Sequence, residues 1–286
     1  MLKLVILIIY FAVLIGIGLY CRKHATDVNG FVLGGRSVGP WLTAFAYGTS
    51  YFSAVVFVGY AGQFGWKYGI AATWAGIGNA IIGSLLAWVV LGRRTRIMSQ
   101  HLDSATMPQY FGKRFGSNPL KIGASVIIFI FLIPYTASLY NGLSRLFGMA
   151  FNIDYSVCII IMATLTAIYV IAGGYMATAI NDFIQGIIML FGIVAVIAAV
   201  IHSKGGFMSA LQGLANVSDP AVSDTPGIFA SFFGPDPFNL LCVVILTSLG
   251  TWGLPQMVQK FYAIDNEASI QKGTVISTIF ALIVSG

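Results

Sequence analysis

Residues 34–66, GGRSVGPWLTAFAYGTSYFSAVVFVGYAGQFGW, decide how the rest of the chain is read. The stretch is apolar enough to enter a bilayer, yet its middle is a poor helix. Gly48, Thr49, Ser50, Tyr51 and Ser53 are packed into six positions. Glycine destabilises a helix by about 1 kcal/mol relative to alanine, and Ser and Thr hydroxyls compete for backbone hydrogen bonds. In hydrocarbon an opened turn is tolerated only where protein or a watery cavity satisfies its polar groups. One reading is a discontinuous transmembrane helix with freed carbonyls and hydroxyls near mid-membrane, the device by which transporters hold ions and solutes. The other is an intact helix whose small residues pack closely against a neighbour.

Composition around this stretch sets the class. The chain has 286 residues, 58% hydrophobic and 8% charged, with a mean hydropathy of +0.88. Soluble domains carry about 25% charged residues, so this is a polytopic all-α membrane protein whose partner is the lipid bilayer. The net charge of +6 does not imply nucleic acid, because the basic residues fall in short loops between apolar runs. Cys21, Cys158 and Cys242 lie in or beside apolar segments without a CxxC pair, and read as core residues. His24, His101 and His202 show no metal-ligand spacing, and no HExxH, GxSxG or paired carboxylates occur in the spans, which argues against an enzyme. The first apolar run lacks a small-residue cleavage site and is expected to stay as a helix.

With about 20 apolar residues needed per crossing, eight spans are expected: 2–20, a broken one over 41–63, 68–91, 122–147, 155–172, 182–201, 238–258 and one from about 274. Gly173-Gly174 punctuates a turn between the fifth and sixth, and a long polar loop covers 202–237, with a weak glycosylation sequon at Asn216-Val217-Ser218. Gly250, Gly253 and Pro255 cluster inside the seventh span, which should also be broken, since proline removes a donor and disrupts the preceding turn. Placing the N-terminus outside puts Arg22, Lys23, Arg36, Arg93, Arg94, Arg96, Lys113, Arg114, Lys121, Lys260 and Lys272 inside, against four basic residues outside. Trp41, Trp66 and Trp88 fall near the expected span ends, where aromatic belts form. The chain stops within the last span, where the final carbonyls would lack partners, so it is expected to be the N-terminal portion of a longer protein.

Four motifs in order carry a resemblance. They are LGGRSVGPWLTAFAYGTSYFSA at 33–54, TMPQYFGKRF at 106–115, IAGGYMATAINDFIQG at 171–186 and WGLPQMVQKFYAID at 252–265. Together they resemble the sodium:solute symporters, the carriers of proline, pantothenate, sialic acid and glucose, with the proline type matching best. The resemblance covers essentially the whole chain, but only about the first half of a family member. It implies a LeuT-like inverted-repeat fold: residues 2–20 a peripheral helix, 41–201 the first five-helix repeat, and 238–286 the start of the second, where this chain ends.

The same resemblance implies site residues. Backbone carbonyls of the broken second span, falling at Thr49 and Phe52, would coordinate Na+, and the family's remaining hydroxyl ligands lie on a later helix beyond this chain. Tyr51 stands where proline-type members have an acid, Ser53 matches their serine, and Val56 stands where sugar-type members have glutamine. Thr247 and Thr251 replace aromatics of the proline type, whereas Pro255 is kept; Tyr135, after Pro134, matches a cavity aromatic. These departures put proline itself in doubt and favour a small organic solute, such as an amino acid or carboxylate. Tyr135, Thr247 and Thr251 could equally be packing residues, since hydroxyls bond across membrane helices. Asp182 matches an aspartate linked to sodium coupling; the alternative is a solvated helix N-cap. Arg36 and Arg145 read as interface anchors or loop braces. The function implied is sodium-coupled solute uptake across the plasma membrane by alternating access; a sensor built on the same membrane fold is the second reading.

Overall fold

The computed structural model describes residues 2–52 and 60–285, and the chain is built of helices joined by short turns. The caps are written into the sequence. α1 (Leu2–Cys21) is one apolar run. The short α2 (Val28–Leu33) opens on Asp27, whose carboxylate accepts the Gly30 amide at 3.0 Å. α3 (Pro40–Tyr51) starts on proline, whose fixed φ suits a first turn. α4 is the long helical run Gly62–His101. Thr106, Ser117, Asp154 and Asp236 then cap α5 (Met107–Phe115), α6 (Asn118–Phe151), α7 (Tyr155–Ser203) and, after α8 (Phe207–Ala215), α9 (Pro237–Leu249). Each such cap is worth about 1 kcal/mol because it satisfies an amide with no partner inside its helix. α10 (Pro255–Ala263) and α11 (Glu267–Ser285) complete the fold.

Among the described residues five helical runs are long and apolar enough to cross a membrane, and a sixth crossing comes from α9 and α10 taken as one span bent by 52°. The run of α7 supplies two of the expected helices. Gly174 takes φ 57° and ψ −149°, and a Cβ there would meet the Phe31 carbonyl oxygen at 2.7 Å, so only glycine fits. Met162 and Thr166 before this point, and Gln185 and Met189 after it, line the same cavity against α1. The halves of α7 therefore run back along one another, and α1 lies against both.

Several expected boundaries move. The third span extends to His101, so Arg93, Arg94 and Arg96 are helical instead of lying in a loop. The sixth helix resumes directly after Gly174, so Asp182 lies two turns inside it and caps nothing; the reversal needs a single residue, not a loop. The eighth helix begins at Glu267, after the Ser269 amide is met by Asn266. Within 202–237 the chain forms α8 and a short turn at Ile228–Ala230. Trp88 is fully buried and not at an interface, edge-on to Phe261 at 5.1 Å. Cys242 is exposed, whereas Cys21 and Cys158 are buried.

The core forms around α3. Gly48 admits the Phe280 ring of α11, which a Cβ would meet at 2.4 Å, and Gly186 of α7 admits Phe45. Tyr47, Trp88, Phe261 and Phe280 fill the space between α3, α4, α10 and α11. Ser84 and Ser277 hydroxyls, 2.8 Å apart, join α4 to α11. By contrast Ser144 is the one buried residue described on α6, which packs mainly against α5 and α7.

Candidate functional site

α3 stops where its sequence predicts. Tyr51 is its last helical residue, and Phe52 leaves the helix at φ −91° and ψ 64°, its amide donating back to the Gly48 carbonyl at 2.8 Å. α9 stops in the same manner. Gly250–Gly253 form a tighter turn, Leu254 is extended, and Pro255 starts α10. Thus the α9–α10 span is broken and α3 ends at Tyr51, and the two places meet; how the second expected span continues past Phe52 lies outside the described residues.

They meet through hydroxyls and one amide. The Tyr51 hydroxyl stands 3.0 Å from the Thr247 carbonyl oxygen and 3.1 Å from Asn79 Oδ1, two acceptors for its single proton. The Ser248 hydroxyl donates to the same Oδ1 at 3.0 Å, and the Thr247 hydroxyl lies 3.1 Å from it. Trp252 Nε1 donates to the Ile82 carbonyl at 3.0 Å. α4 carries Asn79 on a wider, π-type stretch from Asn79 to Leu86, a winding common at functional sites. One turn on, Gly83 leaves room for the Tyr51 phenol; a Cβ would come within 2.0 Å of it.

Beside this network lies a cavity of about 400 Å³ to which Tyr51, Phe52, Asn79, Thr247 and Thr251 contribute. Its size is that of a small-molecule site. No charged side chain lines it among the described residues, so a bound solute would be met by hydroxyls, the amide and aromatic faces. Thr49, two residues before the end of α3, donates its hydroxyl to the Phe45 carbonyl at 2.9 Å. Thr49 and Phe52 stand in and just after the last turn of α3, and each offers a backbone carbonyl oxygen. Hard cations such as Na+ prefer oxygen ligands of this kind, so the donor chemistry fits. Among the described residues no group of three His, Cys, Asp or Glu side chains is placed to hold a metal ion.

The other expected site residues lie elsewhere or outside the described residues. Ser53 and Val56 are among the latter. Tyr135 is half-buried on α6 and does not line the cavity. Pro255 lines a separate cavity of about 380 Å³ with Thr106, Phe129 and Tyr262. Asp182 faces Lys260 of α10, Oδ2 to Nζ 3.5 Å, with side chains 22% and 8% exposed. Lys260 reads as a loop cation in sequence but is buried in the structure. Asn79 was not foreseen; its signal is an amide alone in an apolar stretch, which lipid does not tolerate without a partner.

The opposite end of α10 is tied down by cations. Arg36 donates to the Ser99 hydroxyl and carbonyl and to the Ser104 and Tyr262 carbonyls, the brace expected of it. Arg96 donates to the Ile264 carbonyl at 2.6 Å and the Asp265 carbonyl at 2.9 Å. Val38 pairs with Ala263 and Asp265 in an isolated bridge, and Gln259 donates to the Val32 carbonyl. Arg145 reaches Asn141 on its own exposed helix face.

Comparison with known proteins adds to this geometry. The family model described as the sodium:solute symporter family matches residues 31–286. A sodium/proline symporter of Staphylococcus aureus is 32% identical over 282 residues, covering 94% of this chain and 51% of that protein. The osmoregulated proline transporter of Bacillus subtilis is 31% identical over 261 residues, covering 90% of this chain and 51% of its own length. The chain thus spans about half the length of these curated relatives. A solved Na+-coupled sialic acid symporter, in a substrate-bound outward-open state, superimposes with a TM-score of 0.76 at 17% identity, covering 100% of this chain and 59% of that one. That likeness shows the fold, which is LeuT-like. The relatives are transporters and not enzymes, and the chain is a multi-pass membrane protein. With the end of α3 and the break between α9 and α10 meeting at one cavity, and a family match over residues 31–286, this protein belongs to the sodium:solute symporter family.

Proposed function

We propose that this protein takes part in sodium-coupled symport of a small organic solute across the plasma membrane, by alternating access, with the N-terminus outside. One observation carries the reading: the end of α3 and the break between α9 and α10 close on a single cavity lined by Tyr51, Phe52, Asn79, Thr247 and Thr251. Paired interruptions at corresponding positions of two repeats are how such carriers build a site. In this reading 2–20 is a peripheral helix, 41–201 the first repeat and 238–286 the opening of the second. Na+ is held by the Thr49 and Phe52 carbonyls, and Asp182 couples to it. The solute contacts Tyr51, Ser53, Thr247 and Thr251, while Tyr135 and Pro255 bound its path. An amino acid or a carboxylate suits the uncharged lining, where hydroxyls and the nearby ion can meet a carboxylate without a fixed cation. Proline carried by named relatives agrees with an amino acid.

Uptake of a labelled amino acid and carboxylate panel, by cells expressing the native gene in sodium or in choline, tests this reading. At least one solute should accumulate only in sodium. Equal uptake in choline for every accumulated solute, or no accumulation at all, counts against symport. For orientation, a cysteine placed within 202–237 should react with an impermeant thiol reagent from outside, and one within 102–106 should not.

A further inference from the structure

The Lys260 ammonium is 3.5 Å from Asp182 and lies 5.2 Å above the Tyr175 ring. Lys260 is 6% exposed. The pair joins the second half of α7 to α10, the segment that follows the interruption at Gly250–Leu254. A buried carboxylate needs a cationic partner, and two cations within reach of one carboxylate repel each other. The ammonium thus fills the position that a free cation would take beside Asp182.

We propose that Lys260 is a tethered competitor for sodium at Asp182: ammonium and ion hold the carboxylate in turn, and the ion's arrival releases α10 from α7. The inference rests on the symport reading above. Its physical content is that leaving Asp182, mostly buried among helices, without a cation is costly, so release of α10 is tied to replacement by another cation. A purely structural ion pair behaves differently, because removing Lys260 would then loosen α10 without improving sodium binding. The arrangement also gives Lys260, on the interrupted seventh span, a part in sodium response although it is far from the Thr49 and Phe52 carbonyls in sequence.

The test is a sodium titration of the unfolding temperature of the purified protein, with choline as control. Lys260→Gln should bind sodium about tenfold more tightly, and Asp182→Asn about tenfold more weakly, as expected for linked equilibria of this kind. The double variant should match Asp182→Asn alone, since the competitor matters only while the carboxylate is present. In the unsubstituted protein, acylation of Lys260 by an amine reagent, read by mass spectrometry, should rise when sodium replaces choline. That measurement needs no variant to fold. Equal or weaker sodium affinity in Lys260→Gln, or acylation indifferent to sodium, overturns the proposal while leaving symport standing. Absence of any sodium response in the unsubstituted protein overturns both.

Discussion

The two ends of the bent span formed by α9 and α10 are held in different ways. At the α9 end, Tyr51, Asn79, Thr247 and Ser248 share neutral hydrogen bonds around open space. At the α10 end, Arg36 and Arg96 drive guanidinium groups into backbone carbonyls, and Lys260 meets Asp182. Neutral bonds of this type contribute about 1 kcal/mol each, and bonds to charged groups about 1.5–3 kcal/mol. The contrast teaches where the molecule can give. Around the cavity the Tyr51 and Thr247 hydroxyls each have a second acceptor within reach, so partners can be exchanged for a solute. At the far end Arg36 and Arg96 are held largely by fixed backbone carbonyls, and losing either donor leaves those acceptors stranded.

The largest effect should come from Arg96→Leu. It removes the donors to the Ile264 and Asp265 carbonyls and should destabilise the protein by about 3 kcal/mol, read as a drop in unfolding temperature in detergent. Asn79→Leu should rank next, at about 1–2 kcal/mol, because Tyr51 and Thr247 retain the Thr247 and Val243 carbonyls and Ser248 alone loses its acceptor. If Asn79→Leu proves as damaging as Arg96→Leu, the cavity is as rigid as the opposite end and the contrast collapses. Tyr51→Phe should be milder still, about 0.5–1 kcal/mol, while weakening solute binding about tenfold if the phenol faces the solute. An unchanged solute affinity in uptake would confine Tyr51 to packing. Glu267→Gln breaks an ion pair with Arg93 whose side chains are 50% and 71% exposed. It should change the unfolding temperature by less than any of the others, since exposed pairs contribute about 0–1 kcal/mol.

Features encoded by local chemistry were legible before the structure. The end of α3 follows from Gly48, Thr49 and Ser50, and the break before α10 from Gly250, Gly253 and Pro255; the structure realises both. Thr247 and Thr251, chosen by motif position, do reach the cavity, and Tyr135 does not. What escaped depends on partners distant in the chain. Lys260 looks like a cation at a helix end until α7 is packed beside it, 78 positions earlier in sequence. Trp88 looks like an interfacial anchor because hydropathy ends the span nearby, whereas its helix continues to His101 and its ring faces Phe261. The Gly173-Gly174 pair marks a turn, but composition does not tell whether the reversal takes one residue or eight; that depends on the dihedral angles Gly174 adopts.

The one-residue reversal at Gly174 has a consequence for how the protein enters its membrane during synthesis. Loop charge is the main signal by which the insertion machinery orients helices. From Leu146 to Ser203 the chain carries no Lys or Arg, and the turn exposes no loop in which to place one. This hairpin therefore presents no orientation signal of its own. It is expected to enter as a pair, and because Arg145 and Lys204, which flank it, lie on the outer side of this topology, its direction is inherited from the helices already inserted.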